Sequence, residues 1–352
     1  MKIIYIGTKY DFGKQSRGYG YGYVAFYNTL INMNDGKHEV VSFFYDEVMA
    51  KLGPEKMNQQ LIETVRSERP DLCFFLVSYE LTKKTIAEIT RLTKTFNWFT
   101  DDHWQFEIFS KNFAKLFDYV GTTDFRSIEK YHNIGYKNVI KTQWGYNHYM
   151  HRPIKSKKHY GITFVGQNYG NRGKIINVIK SNNFKVSCYG NGWKNKRVSE
   201  HTMNEIFTNS EINLNFANSS FAPLHFELPG IFIRKDISGK VHIRERAEYI
   251  PRIALLVKKR RPQIKARVFE VIGCGGLLLT AYVEELEKYY SIDKEIVIFN
   301  DTKEMMNKLE YLHNELNEKE RRNIARAGYL KTLKEHTYEK RFNDIFKEMG
   351  LR

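Results

Sequence analysis

The sequence predicts an α/β protein built on parallel, doubly wound sheets, and two observations support this. Short apolar runs typical of buried strands alternate with stretches whose apolar residues have helical spacing. This alternation occurs in two series, separated at residues 152–160 by a polar, proline-containing stretch without periodicity. We therefore expect a first domain over residues 1–153, a second over 160–336 and a terminal helix over 337–352.

The individual elements follow from the same patterns. Strands of the first series are predicted at Lys2–Ile6, His38–Tyr45, Asp71–Val77, Thr95–Phe99 and Tyr119–Thr122. Helices are predicted between them at Val24–Met33, Glu55–Glu68 and Thr82–Thr93. The second series starts at Gly161 with a strand, continues with a helix from Arg172 and further strands in FKVSCYG and EINLNF, and ends in helices over 300–335 and Tyr338–Met349.

The composition provides enough apolar material for two cores. The chain has 352 residues, of which 42% are hydrophobic and 14% aromatic. No run of eighteen apolar residues occurs, so no transmembrane helix is expected, and the N-terminus suits a first strand better than a signal peptide.

Cys73, Cys188 and Cys274 are far apart in apolar contexts. They are predicted to be buried thiols of a reducing compartment.

Positive charge is the main compositional bias. The formal net charge of +16 favours nucleic acid, anionic lipid head groups or nucleotide phosphates as partners, although an AT-rich genome can also produce such a lysine content. The cations are densest over residues 231–267, with twelve Lys or Arg against three acids and KKRR at Lys258–Arg261. Such a run can follow a phosphate backbone or form a solvated surface excursion.

The segment Gln263–Thr280, QIKARVFEVIGCGGLLLT, is the most informative part of the chain. Lys265 and Arg267 stand at the start of a predicted helix, Glu270 lies one turn further on, and a glycine pair separates the helix from an apolar strand. A helix N-terminus with adjacent cations favours phosphate, and a nearby carboxylate can accept hydrogen bonds from a ribose diol. We interpret the segment as a nucleoside-diphosphate site.

Two further turns are candidates for the same site. Gly166 follows a predicted strand, and Arg172 and Lys174 begin the next helix, so backbone amides and two cations can approach a phosphate there. After the following strand, Asn191 lies between two glycines and could hydrogen-bond a nucleobase. Ordinary strand-to-helix turns, the second with a core tryptophan at Trp193, are the structural alternatives.

These motifs resemble those of GT-B glycosyltransferases, in particular the CgeB-like group-1 family, in which R-x-F-E precedes A-C-G-G and a hydrophobic strand. The similarity covers roughly residues 95–345 and ends in EHTYEKRF at Glu335–Phe342. RVFE at Arg267–Glu270 is also similar to RVWE of phage DNA β-glucosyltransferases. The resemblance implies two Rossmann-like domains facing a central cleft, with a C-terminal helix that packs back on the first domain.

Phe99–Trp104, FTDDHW, follows a predicted strand of the first domain, at the edge where open α/β sheets bind ligands. Transfer of a sugar to a hydroxyl needs a base for the acceptor proton. The phage enzymes carry a similar F-T-D with the aspartate as base, which implies Asp101 as base and Asp102 as its close rival. A helix N-cap is the structural alternative for such an aspartate.

The acceptor is expected to contact His103 and the tyrosine-glycine loop at Asp11–Tyr23, where Arg17, Tyr19 and Tyr21 are candidate binding residues. Glycines allow close approach of a ligand to the backbone, and tyrosines can stack on a sugar or base. A flexible loop without a binding role is the alternative.

The implied reaction is transfer of a sugar from a nucleoside-diphosphate sugar, with UDP as the expected nucleotide and no metal or cofactor required. Many retaining GT-B enzymes have a first glutamate eight positions before the residue matched by Glu270. Pro262 stands there, which favours an inverting reaction.

The expected acceptor is a hydroxylated base in phage DNA, because of the positive charge and the similarities at FTD and RVFE. A cell-surface or spore-surface glycan is the alternative acceptor. A non-catalytic nucleic-acid-binding protein of GT-B shape is the alternative of another class. A cytoplasmic location is expected in each case.

Overall fold

The structure is a computed structural model, and it describes residues 1–217, 228–235, 239–258 and 261–351. The described residues form two compact units. The first comprises those of Met1–Gln143, His225–Lys259 and Tyr338–Arg352, and the second those of Trp144–Leu224 and Arg260–Thr337. The basic stretch 228–258 therefore belongs to the first unit, and the predicted KKRR cluster lies partly outside the described residues.

Thirteen strands are found in the described part of the chain. They are β1 Lys2–Gly7, β2 Glu39–Phe44, β3 Leu72–Leu76, β4 Lys94–Phe99, β5 Tyr119–Thr122, β6 Val139–Lys141, β7 Tyr160–Val165, β8 Val186–Tyr189, β9 Ser210–Asn215, β10 Ile233–Lys235, β11 Val241–Ile243, β12 Leu278–Ala281 and β13 Val297–Phe299.

The first unit contains a six-stranded sheet in the order β2-β1-β3-β4-β5-β6, and every neighbouring pair is parallel. Its inner strands are buried along almost their whole length, as expected for a parallel sheet covered by helices on both faces. The helices of this unit are Asn28–Gly36, Tyr45–Glu68, Lys83–Leu92, Asp102–Gln105, Lys111–Phe113, Phe125–Asn133, Pro229–Phe232, Tyr249–Lys258 and Tyr338–Glu348.

The last helix, Tyr338–Glu348, belongs to the core of the first unit. Phe342 packs against Phe74 of β3, with ring centroids 5.2 Å apart, and Tyr338 packs against Phe26 at 5.0 Å. These aromatic contacts bury large apolar surfaces, so the end of the chain contributes to the stability of the first unit.

The second unit contains a five-stranded sheet in the order β13-β12-β9-β7-β8, again entirely parallel. Its helices are Arg172–Ser181, Glu200–Asn209, Ala266–Gly273, Thr302–His313 and Glu318–Glu335. Because the strands are parallel, residues that follow β7, β9 and β12 all lie at the same edge of this sheet. That edge contains the motifs that the sequence singled out.

The predicted fold class is confirmed, since both units have parallel sheets with helical connections. All five predicted strands of the first series are present within two residues of their predicted ends. The three cysteines are free and buried, as predicted. Among the described residues, no helix is long and apolar enough to cross a membrane.

Two predicted helices differ in detail. The helix expected at Val24–Met33 begins as a π-helical turn at Gly22–Tyr27. At its first residue, a Cβ on Gly22 would lie 2.5 Å from Leu76 Cδ2 and 2.7 Å from the Tyr5 hydroxyl, so the turn starts close to β1 and β3. The helix expected from Glu55 starts at Tyr45 and contains a non-helical residue, Gly53, with φ +82°. Pro54 follows Gly53, and proline is compatible with the first turn of the helical segment that resumes there.

Candidate active site

The turn between β7 and helix Arg172–Ser181 contains a buried arginine. The Arg172 guanidinium donates to the carbonyl oxygens of Gln167 at 3.0 Å and Phe216 at 3.3 Å, and it stacks on the Tyr169 ring at 4.0 Å. Burial lowers the pKa of Arg172 from its ordinary value. Arg172 therefore connects the turn after β7 to the residue that follows β9.

The glycine turn after β8 packs directly on the turn after β7. Trp193 Nε1 donates to the carbonyl oxygen of Gly166 at 2.8 Å, and the backbone N–H of Asn168 donates to the carbonyl oxygen of Asn191 at 2.8 Å. Gly190 has φ +126°, and a Cβ there would lie 2.4 Å from the Gly166 oxygen. Only glycine fits at position 190. The two turns therefore pack closely, so that Gly166 and Asn191 lie near each other, and the Asn191 side chain is exposed.

Helix Ala266–Gly273 contains an ion pair between two of the predicted site residues. Arg267 Nη1 lies 2.8 Å from Glu270 Oε2, one helical turn away. The Arg267 guanidinium also lies over the Phe207 ring at 5.1 Å and contacts Met203 Sδ at 2.8 Å. Glu270 is buried, whereas Arg267 is partly exposed, so the arginine compensates the buried carboxylate and holds its orientation.

Arg172 and the segment before Arg267 meet at the residues that follow β9. Arg172 Nη2 donates to the carbonyl oxygen of Phe216 at 3.3 Å, and the backbone N–H of Gln263 donates to the carbonyl oxygen of Ala217 at 3.1 Å. After burial, the like charge of Arg267 is a further cause that lowers the pKa of Arg172. Two guanidinium groups at the carboxyl edge of one parallel sheet favour an anion between or beside them. Lys174 is exposed on the first turn of its helix, and Lys265 is the partly exposed N-cap residue of helix Ala266–Gly273.

The starts of the two helices at this edge support anion binding. Helix Arg172–Ser181 and helix Ala266–Gly273 begin without a hydrogen bond from the side chain of the N-cap residue. In the same unit, Ser199 and Asp301 cap the helices that they precede. Backbone N–H groups at an uncapped helix start are suited to bind phosphate oxygens.

In the first unit, Asp101 follows β4 directly. Its backbone occupies the N-cap position of helix Asp102–Gln105, but its side chain makes no capping hydrogen bond. The Asp101 carboxylate accepts from Thr100 Oγ1 at 3.2 Å and is partly exposed. The capping explanation for this aspartate therefore does not apply to its side chain, and the carboxylate can contact a ligand.

Asp102 differs from its neighbour, because it is only 1% exposed. Its carboxylate accepts from Ser110 Oγ at 2.5 Å and from the Tyr131 hydroxyl at 2.8 Å. Burial raises the pKa of Asp102 to about 6, against hydrogen bonds that lower it. These contacts join the segment after β4 to two helical segments and leave Asp102 less accessible than Asp101.

The predicted acceptor residues of the first unit lie on two segments. Tyr19 stacks between Tyr10 and Tyr23, with ring centroids at 6.0 and 4.4 Å, and is half exposed. Arg17 forms an ion pair with Asp11, and the Tyr21 hydroxyl lies 2.8 Å from that of Tyr338. His103 is buried in helix Asp102–Gln105. Tyr19 thus presents an aromatic surface, whereas contact with His103 would require its neighbours to move.

Several residues of the donor region were not expected from the sequence. Tyr169 and Phe216 hold Arg172, and Met203 and Phe207 lie beneath Arg267. Met203 and Phe207 are four residues apart on helix Glu200–Asn209, so they share one face of it. That spacing was visible in the sequence, but it is equally typical of a core face.

Comparison with known proteins identifies the class. Residues 234–347 match the family described as "Glycosyl transferase-like". The match includes Lys265, Arg267 and Glu270, and it covers about a third of the chain. A comparison with curated protein sequences gives no match.

Solved structures match along almost the whole chain. A glycosyltransferase from Rickettsia africae has a TM-score of 0.58 and 9% identity, covering 99% of this chain and 98% of its own. Sucrose-phosphate synthase from Thermosynechococcus elongatus has a TM-score of 0.56 and 9% identity, covering 99% and 97%. Anabaena HepE, in complex with UDP and glucose, has a TM-score of 0.53 and 10% identity, covering 99% of each chain.

These structures confirm the predicted GT-B fold, and the family match confirms the predicted class, glycosyltransferase. Neither comparison bears on the similarity to the CgeB-like group or to phage DNA glucosyltransferases, which stays a prediction. The roles of the individual site residues likewise stay predictions.

Proposed function

We propose that this protein transfers a sugar from a UDP-sugar to an acceptor hydroxyl with inversion at the anomeric carbon. The observation that carries the proposal is that Arg172 and the segment before Arg267 and Glu270 bind neighbouring residues after β9. Arg172 Nη2 donates to the carbonyl oxygen of Phe216 at 3.3 Å, and the backbone N–H of Gln263 donates to that of Ala217 at 3.1 Å. This edge lies partly within the segment that matches the glycosyltransferase family. Anabaena HepE, which shares the fold, has been solved with UDP-glucose.

In the proposed donor complex, Arg267 and the two uncapped helix starts bind the diphosphate, and Glu270 accepts hydrogen bonds from the ribose. Negative charge on the diphosphate increases as the sugar bond breaks, so fixed positive groups lower the barrier by binding the leaving group more tightly in the transition state. Arg172 holds the turn after β7 and adds to the positive potential. Exposed Lys174 and partly exposed Lys265 contribute less, because water screens their charge.

In the acceptor step, Asp101 takes the proton of the attacking hydroxyl. Its carboxylate is partly exposed and is not used as a helix cap, whereas Asp102 is buried among hydrogen-bond donors. Pro262, at the position where many retaining enzymes of this fold carry a glutamate, supports inversion. An inverting reaction needs one base on the acceptor side, and Asp101 supplies it.

Two acceptors remain candidates, and each is favoured by one observation. The net charge of +16 and the cations of residues 231–267 favour DNA that carries a hydroxylated base. The exposed apolar side chains among those cations favour a glycan attached to, or made at, a membrane surface. Incubation with a radioactive UDP-sugar, followed by separate counting of hydroxymethylated DNA and of a membrane glycan fraction, distinguishes the two.

The proposed donor site is tested by calorimetry and by donor hydrolysis. UDP should bind with measurable heat, and UDP-glucose or another UDP-sugar should slowly release UDP without an acceptor. ADP and GDP serve as comparison nucleotides. Absence of binding by any nucleoside diphosphate contradicts the proposal, and DNA binding without any UDP release favours the non-catalytic alternative.

A further inference from the structure

The stretch 228–258 of the first unit exposes an unusual amount of apolar surface. Six of the nineteen exposed large hydrophobic side chains among the described residues lie between positions 228 and 253, so their exposure is concentrated and not scattered. They are Leu228, Phe232, Val241, Ile243, Ile250 and Ile253. Two of them are almost fully exposed, Ile243 at 83% and Ile250 at 80%. Concentrated exposure of this kind marks an interaction surface.

The apolar side chains occupy defined faces of two elements. In the hairpin, Ile233 pairs with Ile243 and Lys235 pairs with Val241, so these four residues share one face. In the helix, Ile250 and Ile253 are exposed, whereas Leu255 is buried. Over the described side chains of this helix, residues 249–255, the outward face is therefore apolar, the reverse of the usual arrangement for a surface helix.

Internal contacts hold these elements together. Arg244 Nε donates to the carbonyl oxygen of Ile233 at 3.2 Å, and Arg244 Nη1 pairs with Glu248 at 3.0 Å. Arg252 pairs with the same Glu248 oxygen at 3.1 Å, and Phe232 packs edge-on against Tyr249. The apolar residues are thus presented by a built structure and do not belong to an extended, unpaired chain.

Cations occur in the same elements as the exposed apolar side chains. Residues 228–235 and 239–258 contain seven Lys or Arg against two Glu. Arg234, Lys235 and Arg246 are exposed. Cations beside exposed aliphatic side chains match the interface of an anionic bilayer, where head groups bind the cations and the acyl boundary accepts the aliphatic groups. DNA-binding surfaces are much more polar, so exposed isoleucines fit DNA less well.

We propose that the surface formed by residues 228–235 and 239–255, here called the basic apolar surface, docks the protein on an anionic lipid bilayer. Helix Tyr249–Lys258 packs against helix Asp102–Gln105 and the turn Phe106–Ser110, which follow Asp101 in the chain. Docking by this surface would hold Asp101 close to the bilayer. This inference rests on the proposed function, and it adds that the acceptor is a membrane-attached glycan.

Vesicle flotation tests the proposal with the full chain. The protein should float with vesicles that contain phosphatidylglycerol and not with vesicles of phosphatidylcholine alone.

The double variant Ile250→Ser/Ile253→Ser should lower the partition coefficient at least about tenfold, because two aliphatic groups lose their burial. Lys235→Gln should lower it about fivefold, and salt should weaken binding. The matched controls are Leu316→Ser, at an 89% exposed leucine of the second unit, and Arg322→Gln.

Three outcomes would overturn the proposal. One is equal flotation of the isoleucine variant and the Leu316 control. The second is salt-sensitive binding to duplex DNA without vesicle binding. The third is a dimer, seen by light scattering, that the isoleucine variant converts to a monomer, because the surface would then bind a second copy. Calorimetry with UDP on the same samples separates this inference from the proposed function, since the substituted residues are not part of the donor site.

Discussion

The two sheets are both built from parallel strands, but the turns that follow β4 in the first and β7 in the second carry charged side chains of opposite sign. In the first unit, the strand β4 is followed by the acids Asp101 and Asp102. In the second unit, Arg172 follows β7 and Arg267 lies in the first turn of helix Ala266–Gly273, and both segments contact the residues after β9. The difference shows that a parallel sheet provides only the position of a site. The side chains that follow its strands decide the chemistry, since carboxylates can accept a proton and guanidinium groups can bind an anion.

A second contrast exists within each edge. At each edge, one charged group is buried and hydrogen-bonded, and another is partly exposed. The buried groups are Asp102 in the first unit and Arg172 in the second. The partly exposed groups are Asp101 in the first unit and Arg267 in the second. The buried groups shape the backbone, and the exposed groups are available to a ligand. Five predictions, in decreasing order of expected effect, test this division.

The largest effect is expected for Asp101→Asn. An asparagine keeps the shape of the side chain but cannot take a proton, so kcat for sugar transfer should fall by about 10²- to 10⁴-fold. Because Asp101 belongs to the first unit, UDP affinity measured by calorimetry should stay unchanged. An Asp101→Asn enzyme with normal kcat would show that another group is the base.

Arg267→Ala should weaken UDP binding by about 10- to 100-fold, the loss expected when charged hydrogen bonds to a diphosphate are removed. It also leaves buried Glu270 without its partner, so thermal unfolding has to be measured alongside calorimetry. Arg322→Ala is the matched control, because Arg322 is an exposed arginine of the same unit in an ion pair with Glu318. Equal UDP affinity in both variants contradicts the proposed donor site.

Gly190→Ala should destabilise the second unit. The position has φ +126°, which costs a residue with a Cβ on the order of 1–3 kcal/mol, and the added Cβ would also meet the Gly166 carbonyl. Gly161→Ala is the control, because a Cβ there has no neighbour within 4 Å. Denaturant unfolding followed by tryptophan fluorescence should show a lower midpoint for the first variant alone.

The pH dependence of stability tests the buried role of Asp102. Its folded-state pKa of about 6 lies above the ordinary value of 3.8, so the protonated form stabilises the fold below about pH 4 and this contribution is lost as the pH rises through 6. Asp102→Asn removes this titration. The stability advantage of the native protein over the variant should therefore shrink by about 2–3 kcal/mol between about pH 4 and pH 7.

Urea titrations at several pH values measure that difference. Asp293→Asn, at an exposed carboxylate paired with Lys308, should leave the pH profile nearly unchanged. A native profile that is flat over this range would mean that Asp102 titrates normally.

The smallest effect is expected for Lys174→Ala. The side chain is exposed and its charge is screened, so UDP affinity should fall less than about fivefold, well below the loss for Arg267→Ala. A loss as large as that of Arg267→Ala would mean that exposure in the ligand-free protein does not indicate the strength of a phosphate contact. Calorimetry at two salt concentrations measures both variants.

Much of the fold was predictable because parallel strands have a strong local signature. The runs at β1, β3 and β4 are continuous and apolar, and the helices between them have clear spacing. The hairpin of β10 and β11 was not predicted, because its strands are only three residues long and lie in a stretch rich in cations, which resembles a solvated loop. Strand β6, also three residues long, was missed for the same reason.

The candidate site was predictable as a set of positions but not as a set of contacts. The motif at Gln263–Thr280 indicated Arg267 and Glu270, whose ion pair lies within one helix, but the packing of Arg267 on Phe207 and Met203 depends on a helix about sixty residues earlier. Likewise, the sequence could not distinguish Asp101 from Asp102, because the two aspartates are adjacent and chemically identical. The donors that surround Asp102 come from Ser110 and Tyr131.

The sequence by itself determined the α/β class, the first five strands of the first unit, the buried cysteines and the class of enzyme. Each of these is encoded by local periodicity, by residue type or by a contiguous motif. Only the tertiary structure decided which aspartate is buried, that the segments of Arg172 and Arg267 meet at the residues after β9 and that the apolar residues of the basic stretch point outward. These properties depend on segments far apart in the chain, and burial and charge interactions arise only when folding brings such segments into contact.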